Sequence, residues 1–226
     1  MNIVRTTRHL FQRGFTLIEM LVVIVIIGLL IALTMPSLMR TMEANRLTAA
    51  GEGFTNRLSQ AQQLASSRNK RMQIWFIHTR SGGQLAEDPP SFRSYVVCEV
   101  SSTGAQARVI AGPFPVEAGV IIADSPTLSP LITGPNIEVP TTMSTDATAS
   151  ASVIELSPDG GMRKMSAGGA GSVGGLAPSE VMLAQSFITF VNDDPLSRGA
   201  ALPKNFYTVQ VDPYTARART FRPQVR

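Results

Sequence analysis

Gly14-Phe15-Thr16-Leu17-Ile18-Glu19-Met20 opens an apolar run that continues through Leu38. Between Phe15 and Met35 only Glu19 carries a charge. Twenty-odd apolar residues are about what a helix needs to cross ~30 Å of hydrocarbon. The run is rich in Val and Ile, but a lone segment in lipid must satisfy every backbone group within itself. That leaves the helix as the single-span form, and residues 15–38 are read as the transmembrane half of one. Glu19 is the oddity, because a carboxylate inside a membrane helix costs about 2.5–3.5 kcal/mol even on mild insertion scales. Either it sits near the headgroups, one turn into the span, or it meets a cationic partner.

Upstream of Gly14 lie Arg5, Arg8 and Arg13 and no acid. Basic residues on one flank hold that flank in the cytoplasm, so residues 1–14 are expected to stay inside and the remainder to be exported. An ordinary signal peptide carries a small-x-small cleavage site after its apolar stretch. Leu33-Thr34-Met35-Pro36-Ser37 supplies none, and the cleavage-like junction precedes the apolar run instead.

An arginine and Gly14 followed by Phe-Thr-Leu-Ile-Glu-Met-Leu closely resembles the N-terminal processing motif of type IV prepilins and of the pseudopilins of type II secretion. The resemblance implies that a prepilin peptidase cuts after Gly14 and that Phe15 becomes the methylated mature N-terminus. It also implies that Glu19 neutralises the amino group of a neighbouring subunit's Phe15 and so sets the axial register between protomers. Opposite charges at low dielectric help only when they meet. The alternative at this stage is an uncleaved single-pass anchor.

The 226 residues carry a formal charge of +4, and loss of the leader would lower it to +1. The basic balance therefore belongs mostly to the topology signal and does not imply a general nucleic-acid surface. Cys98 is the single cysteine, which excludes an intramolecular disulfide. The exported part must hold together by packing or by a bound ion.

Beyond the span the helical pattern continues. Leu47, Ala50, Phe54, Leu58, Ala61 and Leu64/Ala65 recur at spacings of three and four and form one stripe. Gly51 and Gly53 are weak points along it. Gly28 and Pro36 are two more, and they mark either a kink or, as the pilin resemblance implies, a segment that extends or melts on assembly. The organisation expected is a leader at 1–14, a helix at 15–67 and a β-rich exported head at 68–226.

From Arg71 the period changes to that of strands. Met72–Ile77 reads as one strand, and Ser91–Val100 as another whose Phe92, Val96, Cys98 and Val100 mark one buried face. Cys98 is expected to be a small buried hydrophobe on that face. Ala107–Ala111 and Gly119–Ala123 are short strand candidates, and residues 124–150 read as a long surface excursion. Val153–Leu156, the turn Ser157-Pro158-Asp159-Gly160-Gly161 and a return through Met165 read as a hairpin. Residues 166–178 read as a flexible loop. Val181–Val191 and Phe206–Val211 are strands, Asp212-Pro213-Tyr214-Thr215 is a turn, and Ala216–Phe221 completes a terminal hairpin. A long amphipathic helix with strands of this kind predicts an α+β fold, the helix packed on an antiparallel sheet.

The Pro-Asp-Gly turn and final hairpin resemble the minor-pilin group that includes pseudopilin H and FimT-like proteins. The ending Tyr207 to Pro223 resembles the cassette-D prepilin-like proteins of Verrucomicrobia.

Catalytic signals are sparse, and no catalytic residue is assigned. His78 at a strand end reads as an edge residue, no second His or Cys cluster gives metal spacing, and no nucleophile-elbow motif is present. Gly169-x-Gly171-x-x-Gly174 lacks the strand-to-helix context that dinucleotide binding needs, so no cofactor is expected. Asp193, Asp194, Asp212 and Asp159 read as turn and cap carboxylates, with no calcium spacing and no metal site expected. Arg217, Arg219, Arg222 and Arg226 place four cations in ten residues with no acid. Such a patch can hold phosphates in a salt-dependent way. Ala216-Arg217-Ala218-Arg219 resembles the Gly-Arg-x-Arg motif of FimT-like minor pilins associated with DNA uptake, with alanine in place of the glycine.

The expected function is a pilin-like structural subunit of a type IV pilus or a secretion pseudopilus, not an enzyme. Its partners would be prepilin peptidase, other pilin or pseudopilin subunits and an inner-membrane assembly platform. The head would be periplasmic, or extracellular in a filament. The alternatives are a minor pilin that binds DNA through its basic end and a membrane-anchored enzyme or binding protein.

Overall fold

The computed structural model describes residues 15–79, 91–101, 107–134, 137–144, 149–167, 176–194, 203 and 205–223, with Pro36 described in its backbone alone. Helix α1 spans Leu17–Arg68. The strands follow in order: β1 Met72–Thr79, β2 Ser91–Val100, β3 Ala107–Pro115, β4 Val120–Ile122, β5 Ile137–Glu138 and β6 Ser150–Leu156. Then come β7 Met162–Ala167, β8 Leu176–Ser179, β9 Phe187–Asn192, β10 Phe206–Val211 and β11 Ala218–Phe221. The expected α+β fold is the one observed, a long N-terminal helix followed by an antiparallel sheet. The chain divides into two units, Met1–Met42 and Glu43–Arg226, and α1 contributes residues to both.

In the second unit the sheet order is β11-β10-β9-β4-β2-β1-β6-β7-β8, with β3 on β2 and β5 on β6. The helix lies on one face of this sheet. Leu47, Ala50, Phe54, Leu58, Ala61 and Ala65 are buried in one core with Met72, Ile74 and Phe76 of β1 and Ile188 and Phe190 of β9. The stripe foreseen from spacing is therefore the packed face, with Ala65 rather than Leu64 its innermost last member. Phe54 is central, its ring centroid 5.6 Å from Phe76, 5.5 Å from Tyr95 and 6.0 Å from Phe190.

The two helix glycines differ in cause. A Cβ on Gly51 would lie 2.1 Å from the Tyr207 ring, so only glycine lets β10 come this close. A Cβ on Gly53 meets nothing within 4 Å. Gly53→Ala is thus expected to stabilise the fold by up to about 1 kcal/mol through helix propensity alone. Thermal unfolding of the detergent-solubilised protein, with Gly51→Ala as the destabilised comparator, checks this.

Several sequence expectations need correction. In β2 both faces are buried, not one. Tyr95 and Val97 point to the helix side while Val96 and Cys98 join a second core with Trp75, Ile77 and Val153. Phe92 is on the helix side as well, because the pairing slips between Ile77/His78 and places Ser94 and Phe92 opposite successive residues of β1. An extra residue, Arg93, flips the side-chain parity, as a β-bulge does.

The stretch 124–150 is not a surface excursion. Leu131 and Ile132 enter the helix-side core, Leu128 a third cluster with Ile121 and Val191, and Ile137, Met143 and Ala149 cover the far face of the sheet. Val181–Val191 is strand only from Phe187. Its first half is a 3-10 turn at Leu183–Gln185, where the Ser186 hydroxyl donates to the Leu183 carbonyl at 2.8 Å. Within the stretch expected to be a loop, β7 runs to Ala167 and Leu176–Ser179 pairs with it. Residues 168–175, including the glycine fingerprint, lie outside the described residues.

The hairpins at both ends of the chain's second half match expectation. The β6–β7 turn closes with Ser157 N–H on the Gly161 carbonyl at 2.8 Å, and Gly160 takes φ +97, a glycine conformation. Met162 N–H donates to the Pro213 carbonyl at 2.7 Å, so this turn meets the one between β10 and β11.

Candidate functional site

The first candidate is the start of α1. Thr16 Oγ1 accepts the Glu19 N–H at 3.3 Å, and the Thr16 carbonyl takes the Met20 N–H at 3.2 Å. Thr16 is thereby the N-cap and Glu19 sits three residues on, the Thr-x-x-Glu order of a capping box. Negative charge in a first helical turn is also favoured by the helix dipole. Reading the sequence for charge and hydropathy alone missed this role of Thr16, although the spacing displays it. Phe15 is exposed beside the cap, at 68%. Gly14 and the leader arginines lie outside the described residues.

Downstream, the large apolar side chains from Leu17 to Met42 are exposed, between 42% at Val23 and 85% at Leu17. An exposed apolar surface of this extent marks a site of contact with lipid or with another protein. The helix is long and apolar enough to cross a membrane. Two of its hydroxyls are satisfied internally, Thr34 Oγ1 donating to the Leu30 carbonyl at 3.0 Å and Thr41 Oγ1 to the Ser37 carbonyl at 3.0 Å. The backbone is helical through both Gly28 and Pro36.

The second candidate, the arginine-rich end, is only partly brought together. Arg217 and Arg219 are exposed and alternate with Ala218, which packs against the helix-side core. Arg222 turns to the helix, its Nη2 donating to the Ala44 carbonyl at 3.0 Å. Arg226 lies outside the described residues. Ala216 adopts φ +50, a left-handed conformation that favours glycine, and is buried. Asp212 accepts the Tyr214 N–H at 2.9 Å, and this bond, with the positive field of Arg219 as a lesser cause, holds its carboxyl below the usual range.

The remaining groups considered for chemistry have structural partners. His78 Nε2 lies 3.1 Å from Asp124 Oδ2, with its ring against Phe92, so it is more covered than an edge residue would be. Cys98 is buried, and burial pushes its thiol up to about 12. Asp193 pairs with Arg93, and Asp159 Oδ1 accepts the Gly161 N–H at 3.3 Å. Among the described residues no group of three His, Cys, Asp or Glu side chains comes together.

Two buried carboxylates anchor opposite faces of the sheet. Glu155 takes Gln73 Nε2 at 3.0 Å and Arg71 Nη1 at 3.3 Å, and Gln73 in turn takes the Trp75 indole N–H at 3.1 Å. Glu99 pairs with Lys70 and, at 3.0 Å, with Arg68 at the end of α1. The hydrogen bond from Lys70 is the main cause that holds Glu99 below the ordinary carboxylate range. A depressed folded-state pKa stabilises the fold above the unfolded value, about 4.3 for Glu and 3.9 for Asp, and that contribution fades as pH falls through the folded value. The unfolding temperature is therefore expected to fall below about pH 4, with Glu99→Gln flattening the dependence; circular dichroism melts across pH 3–7 check it.

Residues 11–35 match the family model described as the prokaryotic N-terminal methylation motif. The match supports the type IV prepilin-like family and indicates a pilin-like protein processed by prepilin peptidase, with assembly alongside other pilins and membrane anchoring through the apolar helix. No curated protein and no solved structure gives a significant match.

Proposed function

We propose that this chain is a structural subunit of a type IV pilus or of a type II secretion pseudopilus, assembled through α1. The observation that carries the reading is the exposed apolar helix beginning directly at the methylation motif, with one carboxylate in its capped first turn. In this reading Gly14 is the last leader residue and Phe15 the mature N-terminus. Glu19 accepts the amine of an adjoining subunit's Phe15 as the helices bundle. Two costly groups in an oily bundle then become one pair, which fixes register. Gly28 and Pro36 are the positions at which α1 gives way on assembly.

Before assembly the subunit sits in the inner membrane as a single-pass protein, leader inside and head in the periplasm. The assembly platform and its motor supply the energy, and the head has no catalytic step of its own. The test is recovery of the tagged subunit in filaments sheared from cells, with a peptidase-deficient strain as control. Absence from the filament fraction while the mature form accumulates in membranes would argue for a tethered protein that uses the motif only as an anchor.

A further inference from the structure

We propose that the outer edge of β11 takes an extended acidic segment of a partner protein as an added strand. Among the described residues β11 pairs only with β10, and its Arg219, Thr220 and Phe221 are all exposed. An edge of this kind presents unpaired N–H and C=O groups that template another strand. The side chains around it are not those of a neutral edge. Beyond Met42 the exposed large apolar side chains among the described residues are Met182, Leu183, Tyr214 and Phe221.

Phe221 belongs to this edge strand, and Met182 and Leu183 lie in the segment bonded to its neighbour β10. Arg219 lies opposite Gln210 and Phe221 opposite Thr208, so the two share a face. On that face Gln210 Nε2 donates to the Leu183 carbonyl at 2.9 Å, which ties the segment carrying the exposed Met182 and Leu183 to β10. The edge therefore pairs an apolar shelf with a row of cations.

Charge selects the occupant. Arg217 and Arg219 are exposed, and the one acid beside them among the described residues, Asp212, offsets only part of their charge. A second copy pairing antiparallel on β11 would bring like charges across the new ladder, which is destabilising. An acidic strand with alternating apolar residues instead meets the arginines with its carboxylates and the shelf with its side chains. A phosphate chain would satisfy the arginines but leave the backbone edge and the shelf unused. The proposal is independent of how α1 assembles.

The test titrates the detergent-solubilised full chain against a fluorescein-labelled alternating Glu-Val peptide, with an alternating Lys-Val peptide and a short DNA duplex as comparators. Saturable, salt-sensitive binding of the Glu-Val peptide is expected, with amide hydrogen exchange slowed in β11. The Arg217→Ala/Arg219→Ala variant should weaken it about tenfold or more, and Phe221→Ser should weaken it without lowering the unfolding temperature. No binding, equal binding of the Lys-Val peptide, slowed exchange elsewhere but not in β11, or tighter binding of DNA would each overturn the proposal.

Discussion

Glu19→Gln subunits are expected to be trimmed after Gly14 and yet to be lost from sheared filaments. The substitution keeps size and hydrogen-bonding capacity but removes the charge that an adjoining amine would meet. Leaving one member of a buried pair without its partner costs about 3–5 kcal/mol, a factor of hundreds or more in each association step. The Thr16 cap separates this loss from a helix defect. Its hydroxyl bonds the Glu19 backbone N–H, not the side chain, so α1 starts in the same place in the variant. Immunoblots of membrane and filament fractions read both quantities at once. Filaments with normal amounts of the trimmed variant would remove the charge pair from the account.

Phe54→Ala carries the largest expected cost within the head. The ring is fully buried from water and contacts Phe76, Tyr95 and Phe190, which come from three different strands. Truncating a buried Phe typically costs about 3–5 kcal/mol, because the neighbours refill the cavity only in part. Total stability of a domain is about 5–15 kcal/mol, so this one change consumes a large share of it. Proteolysis of the head, or its thermal unfolding, should show the loss, while trimming at the N-terminus proceeds as before. Unchanged unfolding would mean that the helix is not what organises the sheet.

The parts of this molecule legible in the sequence are those whose residues stand in a row or in one period. The motif from Gly14 to Met20 is contiguous, and the stripe from Leu47 to Ala65 repeats at helical spacing, so both could be read before any coordinates. The failures arose where tertiary context outweighs local pattern. The parity switch at Arg93 depends on β1 and leaves no mark in the alternation of β2. Leu128, Leu131, Ile132, Ile137 and Met143 are scattered without a period, yet each fills a core. Strand β8 contains Pro178, which a sheet tolerates at its edge and which locally argues against a strand. At the candidate site, the Thr16 cap is masked in the sequence by the hydropathy of the run that follows it. The arginines, identical in sequence terms, are told apart only once the hairpin is folded, when Arg222 alone of the three described ones bonds a helix carbonyl.

Mass spectrometry of the intact protein extracted from membranes tests the central claim most directly. A chain that begins at N-methylated Phe15 and lacks residues 1–14 is the result predicted here. A chain that retains Met1 and an unmodified leader would contradict it.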